Sequence, residues 1–238
     1  MIKDHLENKT IFFGSYPQGA NGEVKPIEWI ILKEKEDSMF LVSKYALDCK
    51  KYHDVDSKTK SNSKLRNAVK MTWENCDLRA WLNNEFLNTA FTANEKKQIR
   101  TVTLRNAGNS YFMGLSGGNN TSDKVYVLSY SEAMNYLKDT PFLSCFVTDY
   151  AIANGCLDIR DKPGYKDGLC YTYWLRTVGC QSNRACVVER DMRGGFEISH
   201  MGNEVWWPSI GIRPAIRIFK NSDKESTGEC KRFLTEEK

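Results

Sequence analysis

A chain of 238 residues with 41% hydrophobic and 27% charged residues has the make-up of an ordinary soluble globular protein, long enough to bury most of its apolar surface without disulfides. Its formal net charge of +4 is too small, and its lysines too dispersed, for the electrostatic footprint of a phosphate-tracking surface, so no nucleic-acid partner is expected. No stretch of about 18 consecutive apolar residues marks a membrane span, and no proline-rich, serine-rich or like-charge block divides the chain. A single domain is therefore expected over residues 1–220, followed by a polar tail at 221–238.

The opening residues, Met1 to Asn8, contain no apolar run of signal-peptide length. The sequence as given is expected in the cytosol, or at the surface or outside the cell if an export signal has been removed. In the cytosol the eight cysteines read as reduced, buried thiols. Thr10 to Tyr16, Ile27 to Leu32 and Met39 to Val42 are apolar, β-branched runs separated by Gly19-Ala20-Asn21-Gly22 and by the charged turn Lys33 to Asp37, which predicts an N-terminal meander. From Asp48 to Asn75 the chain is polar and aperiodic, an exposed loop or a short helix around Leu65 to Val69. Its basic run, Lys58 to Lys70, is diluted by Ser and Asn and reads as solvated.

From Asp77 the spacing of Leu78, Trp81, Leu82 and Phe86 places them on one helical face. Thr92 and Glu95 form a capping box for a short helix toward Arg100, and Ser129 and Glu132 form another for the helix carrying Ala133, Met134 and Leu137. Strands are expected at Thr101 to Leu104 and Val125 to Leu128, with a glycine- and asparagine-rich flexible loop from Asn106 to Asp123 between them. Thr148 to Asn154 predicts a third helix, stopped at Gly155, and Asp158 to Gly164 a turn-rich lead into the C-terminal sheet. There, Ala185 to Arg190 and Phe196 to His200 form a hairpin whose glycines, Gly194 and Gly195, supply positive φ. Gly202-Asn203 is expected to make the next turn. Ile212 to Ile218 reads as one strand with Pro214 at an edge or bulge.

Several of these segments carry recurring motifs: Phe13-Gly14-Ser15-Tyr16-Pro17-Gln18, Ile27-Glu28-Trp29, Ser43-Lys44-Tyr45-Ala46-Leu47-Asp48, Trp73-Glu74-Asn75, Leu78-Arg79-Ala80-Trp81-Leu82-Asn83, Thr148-Asp149-Tyr150-Ala151, Trp174-Leu175-Arg176 and Gly211-Ile212-Arg213-Pro214-Ala215. In this order, and across most of the chain, they resemble a family of bacterial domains of C-type-lectin-like fold, related to formylglycine-generating-enzyme-like domains and to the variable proteins of diversity-generating retroelements. The resemblance implies an α+β fold in which a mixed antiparallel sheet is flanked by two or three helices and the N- and C-terminal strands meet. It also implies that the C-terminal strands and loops present a face for a protein or other macromolecular ligand. The residues it points to are Gln181, Asn183, Arg184, Glu189, Arg190, Asp191, Arg193, Glu197, Ser199, His200, Asn203, Glu204, Trp206, Trp207 and Ser209.

Residue chemistry bears on that expectation directly. Trp206 and Trp207 are adjacent, so strand alternation turns one inward and one outward, and the outward ring beside Asn203, Glu204 and Ser209 suits recognition. Arg176 and Arg213 sit inside the tryptophan and glycine-arginine-proline motifs and read as buried, hydrogen-bonded arginines. Cys180 and Cys186 are the nearest counterparts of the copper-binding cysteines of the related formylglycine-generating enzymes. A copper-dependent oxidase-like domain is therefore the alternative reading, although two core thiols account for them as well and no cofactor is expected. Convergence of His5, His53 and His200 on a metal would require three distant segments. Asp158, Asp161 and Asp167 miss the spacing of a calcium loop. The Gly114 to Gly118 loop lacks a phosphate-cradle ending, and Ser131, His200 and the acids assemble no triad.

Overall fold

Alternation of β-branched and aromatic residues in the first segments builds a meander of β1 (Thr10–Pro17), β2 (Val24–Glu34) and β3 (Ser38–Ser43). The computed structural model describes residues 9–157, 169–191 and 193–220. The fold is α+β, with antiparallel pairing dominant. One five-stranded sheet has the order β1, β2, β3, β12 (Ala215–Phe219), β7 (Val125–Tyr126). A second has the order β10 (Phe196–Glu204), β9 (Arg184–Arg190), β8 (Thr172–Val178), β11 (Gly211–Ile212), β4 (Asp48–Cys49), and β5 (Val102–Leu104) pairs with β6 (Thr121–Asp123). Because β12 pairs with β3, the C-terminal strand lies against the N-terminal meander.

The expected strand from Ile212 to Ile218 is broken at Arg213-Pro214, where the chain leaves the second sheet as β11 and enters the first as β12. Proline, with no amide hydrogen for a ladder, suits this crossing point. Arg213 beside it is 1% exposed. It donates from Nε to the Ser43 carbonyl at 2.9 Å and from Nη1 to the Phe142 carbonyl at 2.7 Å and the Tyr173 hydroxyl at 3.2 Å. A single guanidinium thus ties both sheets and the turn before α7 (Asp149–Ala153) together.

Between β4 and the next strand the chain makes α1 (Ser57–Ser61), α2 (Ser63–Ala68) and then α3 (Asp77–Trp81), which runs through a π-helical turn at Leu82–Phe86 into α4 (Leu87–Ala90). Leu78, Leu82 and Phe86 are buried together, as their spacing predicts, while Trp81 is partly buried. In α5 (Ala93–Gln98) the capping box forms: Glu95 N–H donates to the Thr92 hydroxyl at 3.3 Å, and Thr92 N–H donates to the Glu95 carboxylate at 2.8 Å. The same carboxylate accepts from Gly14 N–H at 3.1 Å, fixing the bulge of β1 at a glycine with φ of +69°. Ser129 and Glu132 cap α6 (Tyr130–Tyr136) in the same way.

Further sequence expectations are corrected. Residues 106–123 are not a free loop. Asn106 donates to the Asn119 carbonyl at 2.8 Å, Asn109 donates to the carbonyls of Val178 and His200 at 3.0 and 2.8 Å, and Thr121 to Asp123 form β6. Asparagine composition alone does not reveal that these side chains point inward to satisfy backbone carbonyls. Gly202-Asn203 is not a turn either. Gly202, with φ of +69°, is a bulge inside β10, and a Cβ there would lie 2.2 Å from the Ala185 carbonyl oxygen. The reversal follows it, where Trp207 N–H donates to the Glu204 carbonyl at 2.9 Å. At the β9–β10 tip Gly194 takes positive φ, at +85°, and Gly195 does not. The segment from Asp158 to Gly164, Met192 and the tail at 221–238 lie outside the described residues. No helix among the described residues is long and apolar enough to cross a membrane.

Candidate functional site

The β9–β10 hairpin sorts the fifteen sequence-selected residues by register. Opposed pairs are Phe196 with Arg190, Glu197 with Glu189, Ile198 with Val188, and Ser199 with Val187. Since Thr172 pairs with Glu189 and Trp174 with Val187, one face of the sheet carries Thr172, Glu189 and Glu197 beside the buried row of Trp174, Val187 and Ser199. Where this face nears solvent, a cleft of about 200 Å³ opens, lined by Glu189, Asn203, Trp207 and Ser209 with Leu157, Tyr171, Thr172 and Ile210. Trp207 is 52% exposed at the cleft, whereas Trp206 is 8% exposed and part of the core. One ring points inward and one outward as expected, but in the turn that follows β10 and not by alternation along a strand.

The other selected residues separate from this cleft. Arg190, Asp191 and Arg193 cluster at the hairpin tip, where the Asp191 carboxylate accepts from the amides of Arg193 and Gly195, both at 2.8 Å. That carboxylate shapes the turn. At the far end, Arg184 opposes Glu204 and donates to the Gly202 carbonyl at 2.9 Å, bracing the bulge. Asn183 is buried and donates to the Arg66 carbonyl at 3.0 Å, and Gln181 next to it is exposed. Glu204 faces Arg66 at 3.8 Å. Asn183, Ser199 and Trp206 are thus inside the protein rather than on a displayed face. His200 projects from the opposite side of β10 and stacks under Tyr111, with ring centroids 4.3 Å apart.

Tyr111, Tyr171, Thr172 and Leu157 escaped the sequence reading. Tyr171 and Thr172 were open to detection, because they lead through Tyr173 into Trp174 and Thr172 opens the strand that pairs with Glu189. Tyr111 was not, since it lies in the segment whose composition suggests an unpacked loop.

Arg176 and Arg213 are buried, as their motif positions suggest. Arg176 donates to the Val127 carbonyl at 3.0 Å and pairs through Nη1 with Glu132. Burial raises the Glu132 carboxyl, but the Arg176 guanidinium, two amide and guanidinium hydrogen bonds and Arg217 outweigh it and hold the group below its ordinary value. Cys180 is half-buried and Cys186 buried. The Cys186 thiol donates to the Val178 carbonyl at 3.3 Å and is pushed up to about 12 by burial and by neighbouring Cys180, which disfavours the thiolate that metal ligation requires. Among the described residues no group of three or more His, Cys, Asp and Glu is arranged to hold a metal ion. His53 Nδ1 lies 3.0 Å from Asp77 Oδ2, apart from the His200 stack. His5, Asp158, Asp161 and Asp167 lie outside the described residues.

Neither the curated proteins nor the solved structures contain a match to the chain. One family model does match, over residues 34–220, leaving β1 and nearly all of β2 before the matched stretch. The chain belongs to the family described as domain of unknown function DUF6273.

Proposed function

We propose that this chain is a non-enzymatic ligand-binding protein of C-type-lectin-like fold, whose C-terminal face docks a macromolecular ligand, a protein above all, through the Trp207 cleft. The observation that carries the reading is Trp207 itself, a half-exposed indole on a cleft edged by Glu189, Asn203 and Ser209 while its neighbour Trp206 anchors the core. A rigid aromatic surface among directional polar groups gives large contact area at low entropic cost. The Glu189 carboxylate on the cleft, with Glu197 opposite it on the neighbouring strand, favours a ligand with a cationic side chain. The fold assignment draws support from β12 returning to β3, from α4 packed on β1, and from α6 packed on β8 and β10.

The finer reading is a variable protein diversified by a retroelement. Its test is to sequence the gene across many cells of one population and to look for a near-identical template repeat close by. Substitutions gathered at exposed positions between Cys180 and Ile210, with Asn183, Ser199 and Trp206 constant, are the expected outcome. A constant stretch without a template repeat removes the retroelement reading and leaves a receptor of fixed specificity.

A further inference from the structure

A second and larger concavity, about 540 Å³, lies away from the C-terminal face, in the groove between the β2–β3 turn and the segment from Arg100 to Arg105. Its construction follows from the pairing of β12. Arg100 N–H donates to the Arg217 carbonyl at 2.8 Å, and Ile99 bridges to Ile218, which lays the 100–105 segment beside the end of that strand. Arg176, Arg217 and Glu132 line the interior together with Ser38. Lys35, Arg100 and Arg105 line the edges with Asp37 and the hydroxyl-bearing Thr101 and Thr103.

The charge of this cleft is unbalanced. Five basic side chains face two carboxylates, and both carboxylates are already engaged. Asp37 accepts from Arg100 at 2.8 Å and from the Ser38 hydroxyl at 2.9 Å. Glu132 is held by Arg176 and by the Ser129 amide. Lys35, Arg105 and Arg217 make no ion pair among the described residues. Arg176 is 6% exposed, and its buried Nε has no hydrogen-bond partner.

An aromatic ring positions Arg217 where a carboxylate would usually do so, and rings add to the carboxylate pairing of Arg176 and Arg100. The Arg217 guanidinium lies over the Phe40 ring at 4.5 Å, that of Arg176 over Tyr126 at 5.6 Å, and that of Arg100 over Phe219 at 4.8 Å. Stacking fixes the plane of a guanidinium without itself consuming N–H donors, and Arg217, whose Nε donates to the Tyr126 hydroxyl at 3.4 Å, keeps its charge free of a carboxylate among the described residues. Planar donor forks held this way match the oxyanions of phosphate and carboxylate, and the volume is that of a small-molecule site. We propose that this cleft binds a small organic polyanion, a phosphate ester or a di- or tricarboxylate, independently of the Trp207 face.

The test is isothermal titration calorimetry with two probes, inorganic pyrophosphate and citrate, against sodium chloride at matched ionic strength. Wild-type protein is expected to bind at least one probe saturably at one site, with a matching rise in thermal midpoint. Pyrophosphate alone would assign the phosphate class, and citrate alone the carboxylate class. Arg217→Gln should weaken binding about tenfold or more, the loss of one charge-assisted bidentate contact. Should Arg217→Gln fail to fold, Arg105→Glu decides, because Arg105 is exposed and its replacement reverses a rim charge without touching the core. Trp207→Ala should bind both probes like wild type. Failure of both probes to bind saturably, or unchanged binding by Arg105→Glu, would overturn the proposal.

Discussion

Glu189 and Glu197 stand directly opposite each other across the antiparallel β9–β10 pair, on the sheet face that runs to the Trp207 cleft. Like charges in this position destabilise a sheet, so the arrangement costs stability at a place where the chain displays its largest exposed indole. Glu197→Gln should stabilise the protein by about 0.2–1 kcal/mol in urea unfolding while weakening capture of the ligand. A variant that is both more stable and equally competent in binding would remove the carboxylates from the recognition account.

The adjacent tryptophans divide fold from function. Trp206→Ala opens the core and should cost about 3–5 kcal/mol, read as a drop in urea midpoint with unchanged slope. Trp207→Ala should change stability by no more than about 0.5 kcal/mol and yet abolish binding. Equal destabilisation by the two substitutions would mean that Trp207 is a core residue.

Acid sensitivity should run through Glu132. Its folded carboxyl is held below the ordinary value, so its contribution is fully present above the unfolded glutamate pKa of about 4.3 and is lost as pH falls through the lower folded value. Glu132→Gln removes the charge that pairs with buried Arg176 and keeps an oxygen able to accept in the α6 capping box. The variant should be destabilised at pH 7, and the gap from wild type should narrow as pH falls below about 4. A gap that is constant with pH would show that the carboxylate charge is not what stabilises the native state.

Arg213 tests the junction between sheets. Arg213→Met keeps much of the aliphatic volume but abandons the carbonyls of Ser43 and Phe142 and the Tyr173 hydroxyl. With hydrogen bonds from a charged donor worth about 1.5–3 kcal/mol each and not additive, a loss of about 3 kcal/mol or more is expected in chemical denaturation. A loss under about 1 kcal/mol would show that the guanidinium is replaceable at the crossing.

What the sequence disclosed is local. The β-branched runs of β1 to β3 and the two capping boxes each depend on neighbours a few residues away, where periodicity and capping chemistry operate, whereas the opposite fates of Trp206 and Trp207 are set by the turn after β10. The bulge at Gly202 was hidden because a glycine followed by asparagine carries the same composition in a turn as in a strand. It is the Ala185 carbonyl across the ladder that excludes a side chain there. The inward-facing Asn106 and Asn109 were hidden for a similar reason, their acceptors being up to 91 residues away. The polyanion cleft was least legible of all. Its arginines come from the 100–105 segment, β8 and β12, three stretches with no shared pattern until β12 enters the first sheet.

The central claim, a displayed binding face centred on Trp207, is tested most directly by site-specific photocrosslinking in living cells of the source organism. A benzophenone amino acid is placed at Ser209, which lines the cleft beside Trp207, and, as a control, at Phe12, which is 54% exposed on the edge strand of the other sheet. The account predicts one discrete adduct from position 209, none from position 12, and loss of that adduct when Trp207 is replaced by alanine. Adducts of equal yield from both positions, or an adduct from position 209 that survives Trp207→Ala, would contradict it.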